Sequence, residues 1–155
     1  MQEGSWSWGK HRISYLRVSP PGASPPSGRA VLCVHGFGAS KRHWRHNLAA
    51  LASGAEVYAI DLLGFGASAK PPSQLAGEAA STTSVRYSFD LWAEQLVAFT
   101  DQVIQGDQGQ ASAIALQLIG NSIGGVVALN AARLLEQRGT PAQQVILIDC
   151  AQREL

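Results

Sequence analysis

A doubly wound α/β fold with a mostly parallel sheet is what this sequence predicts, and three observations carry it. Short apolar runs alternate with amphipathic helical stretches along most of the chain. Several of those runs, Arg29-Ala30-Val31-Leu32-Cys33-Val34 among them, are apolar at consecutive positions, as strands covered by helices on both faces are. One run, 113–119, passes through Gly120-Asn121-Ser122-Ile123-Gly124 directly into a helical pattern over 126–137.

Composition narrows the class. A chain of 155 residues with 46% hydrophobic and 15% charged residues is one domain's worth of globular α/β protein, or less. The formal net charge of +1 argues against a nucleic-acid partner, which would want a broad basic surface. Lys41, Arg42 and Arg45 read as a local, solvated helix face. Cys33 and Cys150 lie in apolar strand-like runs and read as buried free thiols of a reducing compartment, without a disulfide or metal. The first residues lack a charged stretch leading into an apolar one, and no run is long enough for a transmembrane segment. The expectation is a soluble, cytoplasmic chain with no metal site.

In chain order, Ser5-Trp6-Ser7-Trp8 and the alternating 12–18 segment form a hairpin across Gly9-Lys10, with Trp6 and Trp8 packed on one face. The Pro, Ser and Gly content of 19–28 marks a surface loop. The 29–34 strand ends in His35-Gly36-Phe37-Gly38. A first helix is expected over 41–52, because Trp44, Leu48 and Leu51 fall four and three residues apart. His43 and His46 lie off that stripe. The 56–60 strand runs into Asp61-Leu62-Leu63-Gly64-Phe65-Gly66-Ala67-Ser68, and 69–86, with Pro71-Pro72, reads as an exposed excursion. Ser88 suits the N-cap of a second helix carrying Trp92, Leu96, Phe99 and Val103 on its core stripe. The 106–110 segment is a loop, Thr140-Pro141 ends the third helix, and 144–149 is a last buried strand. The count is six strands and three long helices. The proposed layout is a 1–18 hairpin followed by a 29–149 core, with no second domain.

The chemistry points to Ser122. In Gly-x-Ser-x-Gly between a strand and a helix, the serine is held in a strained backbone so that Oγ stands clear of the sheet. Gly120 and Gly124 leave room where strand and helix come close, and the helix aims its N–H groups at the reacting centre. The N–H groups of Phe37 and Ile123 would form an oxyanion hole, with Gly36 and Gly38 letting the backbone fold around a ligand oxygen. A plain glycine-rich turn is the competing reading. His35 reads as a structural histidine ordering this turn rather than a general base, and Asp61 as an anchor for loop N–H groups rather than a catalytic acid.

The three motifs, His35-Gly36-Phe37-Gly38, Asp61 to Ser68 and Gly120 to Gly125, resemble those of the α/β-hydrolase superfamily in order and spacing. More narrowly, Val57 to Gly66, Tyr87-Ser88-Phe89-Asp90-Leu91-Trp92 and Gly120-Asn121-Ser122 resemble the pheophytinase and chlorophyll dephytylase relatives of plants and cyanobacteria. The resemblance implies hydrolysis of a small-molecule carboxylic ester by a Ser-His-acid triad without a cofactor. In the narrower group the ester is the phytyl ester of a chlorophyll pigment, and peripheral contact with a photosynthetic membrane is compatible with it. Such folds have eight strands, with the acid usually after the seventh and the histidine after the eighth. Here His11, His35, His43 and His46 all precede the serine. Asp149 ends the sixth strand, where some relatives place their acid, although a structural aspartate there is the simpler reading. The expectation is the N-terminal part of a longer serine hydrolase. A non-catalytic binding protein on the same fold, or a perhydrolase, lyase or carbon–carbon bond hydrolase, stays open. Serine at the apex argues against dehalogenases and epoxide hydrolases, which carry Asp there. Oligomeric state is not legible.

Overall fold

The computed structural model describes residues 1–22, 28–79, 82–108 and 114–150. Six strands form one sheet in the order β1-β2-β4-β3-β5-β6. They are β1 (Gln2–Trp8), β2 (His11–Val18), β3 (Arg29–Val34), β4 (Glu56–Ile60), β5 (Ala115–Asn121) and β6 (Gln144–Ile148). β1 and β2 form the antiparallel hairpin, β2 also pairs antiparallel with β4, and every other pairing is parallel. The doubly wound, mostly parallel sheet is therefore present. Half of the expected 19–28 loop, residues 23–27, lies outside the described residues.

The continuous apolar runs follow from burial on both faces. Ala30, Leu32 and Val34 of β3 join Tyr58 and Ile60 of β4 in one core, together with Leu96, Phe99, Val127, Ala131 and Leu135 of the helical layer. The intervening residues, Val31, Cys33, Val57 and Ala59, face the other side and meet Trp44, Leu48 and Ala52. Each such large side chain contributes about 1.5–3 kcal/mol when fully buried. Trp6 and Trp8 stack with ring centroids 6.5 Å apart, and Trp6 meets the edge of Phe99 at 5.6 Å, so the hairpin packs onto the first core.

The helices depart from expectation in two places. The segment over 41–52 is not one helix. Lys41–Trp44 is a 3-10 turn and α1 (Leu48–Leu51) is a single α-turn. The tighter winding sets residues three apart on one face, and here both Lys41 and Trp44 are buried. Next, α2 (Phe89–Phe99) starts as expected at Ser88, whose hydroxyl accepts from Leu91 N–H at 3.1 Å. It does not stop near 105: it runs through a π-helical turn, Thr100–Ile104, into α3 (Gln105–Gln108), so much of the expected 106–110 loop is helical. Among the described residues the long helices are thus two, α2 with its extension and α4 (Ile123–Gln137). The 69–86 excursion is tied down by a bridge between Ser73 and Val85 and by Tyr87 O–H donating to Pro71 O at 2.7 Å. Of the cysteines, Cys33 is buried but Cys150 is only half-buried, because it follows β6 rather than lying within it.

β6 is an edge strand, and none of its residues is fully buried. Its apolar residues Leu147 and Ile148 are 42% and 43% exposed, beside Leu129 of α4 at 43%. An apolar edge of this kind is a template for pairing with other chains. The 155-residue chain expressed alone is expected to form oligomers or insoluble material, and Ile148→Lys to raise the monomeric fraction. Size-exclusion chromatography with light scattering checks both; a monodisperse monomer of the unmodified chain would contradict the expectation.

Candidate active site

The sheet order locates the site before any side chain does. From β3 the chain moves to β4 on one side, then crosses back over β3 to β5 on the other. The crevice between the carboxyl ends of β3 and β5 is therefore the switch point where open α/β sheets take ligands. Val34 pairs with Gly120, so the residues just beyond, His35-Gly36-Phe37 and Asn121-Ser122, stand side by side.

Ser122 occupies the left-handed side of backbone space, at φ 54° and ψ −124°. Among the described residues Asp149, at φ 45°, is the other non-glycine at positive φ. Such a conformation costs on the order of 1–3 kcal/mol and persists only where its surroundings impose it. The surroundings here are backbone. A Cβ on Gly120 would collide with Gly124 O and with the Gly125 backbone, and a Cβ on Gly124 would lie 2.5 Å from Val34 O and His35 O. Ser122 N–H donates to Ile148 O at 3.0 Å and Asn121 Nδ2 to the same oxygen at 3.2 Å, which ties the turn to the end of β6.

The Gly36 turn closes on the serine from the other side. A Cβ there would lie 3.1 Å from both Ser122 Cβ and Asn121 Oδ1. Gly38, at φ 68°, supplies the turn that an L side chain resists. Ile123 is the first residue of α4, so its N–H has no partner within the helix. The structure thus brings Gly36, Phe37, Gly120, Ser122, Ile123 and Gly124 to one rim. A cavity of about 510 Å³ opens at the opposite rim, among Arg29, Gly54, Ala115 and Gln144 at the strand starts. It lies far from the strained serine, so it is not the site the motifs define.

His35 is fully buried and both ring nitrogens are engaged. Leu62 N–H donates to Nε2 at 3.1 Å, so Nδ1 carries the proton and donates it to Gly36 O at 2.8 Å. Burial pushes the imidazole pKa down; its bond to Gly36 and the charge of Asp61 oppose this, and His43 adds to it. Asp61 is also fully buried: Oδ1 accepts from Lys41 N–H at 2.6 Å, and Oδ2 from Ala67 N–H at 2.8 Å and Lys41 Nζ at 3.1 Å. The aspartate anchors loop N–H groups as the sequence suggested. Lys41 does not behave as expected. Instead of lying on a solvated face it is 2% exposed, drawn inward by Asp61, Ser14 and Glu3, whereas Arg42 and Arg45 are exposed. Its position three residues before Trp44 on the apolar stripe was the available signal.

The remaining candidates stand apart from the serine or carry no contact with it. His43 and His46 are exposed, and His11 opens β2 beyond the far edge of the β3–β4 pair. Asp149 follows β6 and is exposed. Among the described residues no group of three His, Cys, Asp or Glu is arranged to hold a metal, and no helix is long and apolar enough to cross a membrane.

A doubly wound sheet with a strained serine between strand and helix at its switch point defines a class of α/β domain. The chain belongs to the alpha/beta hydrolase family, whose profile matches residues 31–154. It is 35% identical over 111 residues to the dihydrolipoyllysine-residue acetyltransferase component of the acetoin cleaving system of Pseudomonas putida, covering 72% of this chain and 25% of that protein. It is 31% identical over 139 residues to chloroplastic pheophytinase of Arabidopsis thaliana, covering 77% and 26%. Bifunctional epoxide hydrolase 2 of Sus scrofa is 32% identical over 113 residues, covering 72% and 17%. Among solved structures a bacterial membrane phospholipase A, described as a virulence factor, superposes with a TM-score of 0.71 at 30% identity, covering 99% of this chain and 41% of that one. The chain spans about a quarter or less of the curated relatives it matches.

The depressed His35 pKa gives a signed expectation. An unfolded chain takes up a proton near pH 6.5 that the folded imidazole resists. Its contribution to stability is therefore complete above about pH 6.5 and declines as pH falls below that value toward the folded pKa. His35→Gln should lower stability at neutral pH and flatten the dependence below pH 6.5. Urea melts across pH 5–8 check it; an unchanged slope in the variant would place the dependence elsewhere.

Proposed function

We propose that this chain carries the nucleophile and oxyanion side of a serine hydrolase acting on a small-molecule carboxylic ester. The observation that carries the reading is Ser122 itself, a non-glycine residue at φ 54° on the strand-to-helix apex, packed against the Gly36–Phe37 turn. In this reading Ser122 Oγ attacks the ester carbonyl, and the N–H groups of Phe37 and Ile123 receive the developing negative charge. A single donor of this kind supplies about 3–4 kcal/mol in measured cases.

A serine hydroxyl needs a base within about 2.6–3.2 Å. His35 does not meet that need, because Nε2 already accepts from Leu62 N–H and Nδ1 donates to Gly36 O. We therefore assign the base to a histidine, and the acid to a carboxylate, in chain beyond residue 155; Asp149 is the alternative acid. The relatives' names span ester, epoxide and acyl-transfer chemistry. Serine rather than aspartate at the apex favours acyl chemistry over epoxide opening. The likeness to pheophytinase supports a phytyl ester as the narrower substrate, and cytoplasmic enzyme meeting that lipid at a membrane surface fits it. Phe37, 77% exposed beside Ser122, offers an apolar surface at the mouth of the crevice.

In full-length protein, Ser122→Ala should lower kcat by up to about 10⁶ with p-nitrophenyl butyrate, and fluorophosphonate labelling should fall on Ser122. Retention of a tenth of the activity would remove Ser122 from the nucleophile's role. Absence of labelling in a folded, unmodified protein would favour a non-catalytic binding protein. The 155-residue chain alone should turn over the same ester no faster than its own Ser122→Ala control.

A further inference from the structure

We infer that Lys41 is a positioning residue: through its buried ammonium the β1–β2 hairpin holds the Gly36–Phe37 turn in register with Ser122. This rests on the reading of Ser122 as nucleophile and of Phe37 N–H as an oxyanion donor.

The turn does not anchor itself. Phe37, at its centre, has its side chain 77% exposed, and Gly38 beside it is at φ 68°. Inside the turn Ala39 N–H donates to Gly36 O at 3.3 Å, long for such a bond. Its placement is fixed from the two ends. At the leading end His35 Nε2 accepts Leu62 N–H. At the trailing end Lys41 contacts both oxygens of Asp61, one through its backbone N–H at 2.6 Å and the other through Nζ at 3.1 Å. Both fasteners reach the same segment, just beyond β4, and Phe65 of that segment packs its ring against His35 and against Phe37, each at 5.5 Å.

The ammonium has two further protons and both are used. Ser14 Oγ of β2 accepts one at 2.9 Å, and Glu3 Oε1 of β1 lies 3.0 Å away. Asp61 N–H in turn donates to Ser14 O at 2.8 Å. One buried side chain thus joins four segments: β1, β2, the loop after β4 and the end of the oxyanion turn. Stability alone does not require this. A buried ion pair gains little over apolar side chains of the same volume, whereas its three directed bonds fix where a neighbouring backbone stands. Lys41 follows Gly36 by five residues, so a shift at its backbone is passed along a short stretch to the Phe37 N–H.

A misplaced oxyanion donor weakens the transition state and leaves ester binding nearly untouched, so the effect falls on kcat rather than KM. In full-length protein Lys41→Met and Lys41→Gln are compared with the unmodified protein and with Val103→Ala, a core change on the helical layer. The readouts are kcat and KM for p-nitrophenyl butyrate, melting temperature, and fluorophosphonate labelling. The expected result is a fall in kcat of about tenfold or more in the Lys41 variants, up to the roughly 10²–10³ that removal of a whole oxyanion donor costs, with KM changed less than about threefold. Val103→Ala should lower the melting temperature and leave kcat in place. Unchanged kcat in a folded Lys41 variant overturns the inference. So does a parallel loss of kcat in Val103→Ala, which would mean general loosening, and so does failure of both Lys41 variants to fold, which would make the lysine a folding residue only. If the unmodified protein itself is not labelled at Ser122, the nucleophile reading fails first and takes this one with it.

Discussion

The constraint on which the rest depends is the crowding of backbone at the start of α4. Gly124 sits where a Cβ would lie 2.5 Å from two carbonyl oxygens of the neighbouring strand end, Val34 and His35. Gly120 faces the backbone of Gly124 and Gly125 across the turn. Because helix and strands meet at backbone distance, the residue between them has no room for an ordinary conformation, and Ser122 takes φ 54°. The strain follows from packing rather than from the serine. The same closeness sets the N-terminal N–H groups of α4 beside the carboxyl ends of β3 and β5, where a partial positive charge of helix origin is most useful.

A second layer of order comes from polar groups that have no water to turn to. Asp61, Gln95, Ser68, Ser14, His35 and Lys41 are all buried. Gln95 accepts from Leu63 N–H at 2.9 Å and donates to Asp61 O at 3.2 Å; Ser68 Oγ donates to that same carbonyl at 2.8 Å and accepts from Ser14 N–H at 3.0 Å. The loop after β4 is irregular, so its backbone groups must find side-chain partners if they are buried. Leu62 N–H finds His35, Leu63 N–H and Asp61 O find Gln95, and Ala67 N–H finds Asp61 within the loop itself. A half-satisfied network of this kind would cost more than an apolar core, which is why its members act as a set.

Much of this was legible in the sequence, and the gaps have a common cause. Continuous apolar runs marked β3 and β4 because both faces are covered, and the Gly-x-Ser-x-Gly spacing marked the elbow because its sterics are local. Ser88 was readable as a cap because its partner, Leu91 N–H, is three residues away. Lys41 departs from the expected solvated face because its partner is Asp61, twenty residues on and across a strand. The same distant pull broke the expected helix into a 3-10 turn and a short α1, since the winding had to bring Lys41 and Trp44 inward together. The continuation of α2 through a π-helical turn was equally hidden, because nothing in the local pattern around Thr100 separates a helix that widens and continues from one that ends. The pairing of a lysine with an apolar stripe at 41, 44, 48 and 51 was nevertheless visible, and a charged residue on a buried stripe is a sign that a counter-charge lies nearby.

The histidine that leads the Gly36–Phe37 turn shows how geometry divides roles that residue type alone leaves open. An imidazole beside a nucleophilic serine is the usual chemistry of a base, and His35 stands one residue from the turn that touches Ser122. Yet a base must present a free lone pair to the hydroxyl. In His35 the lone pair of Nε2 is already spent on Leu62 N–H, and the proton of Nδ1 on Gly36 O. Protonation would set a donor against Leu62 N–H and release that bond, so the ring holds the turn only while neutral. Burial, which pushes its pKa down, keeps it neutral. The property that would weaken it as a proton acceptor is the one that makes it dependable as a fastener, and the turn it fastens is the one that closes on Ser122.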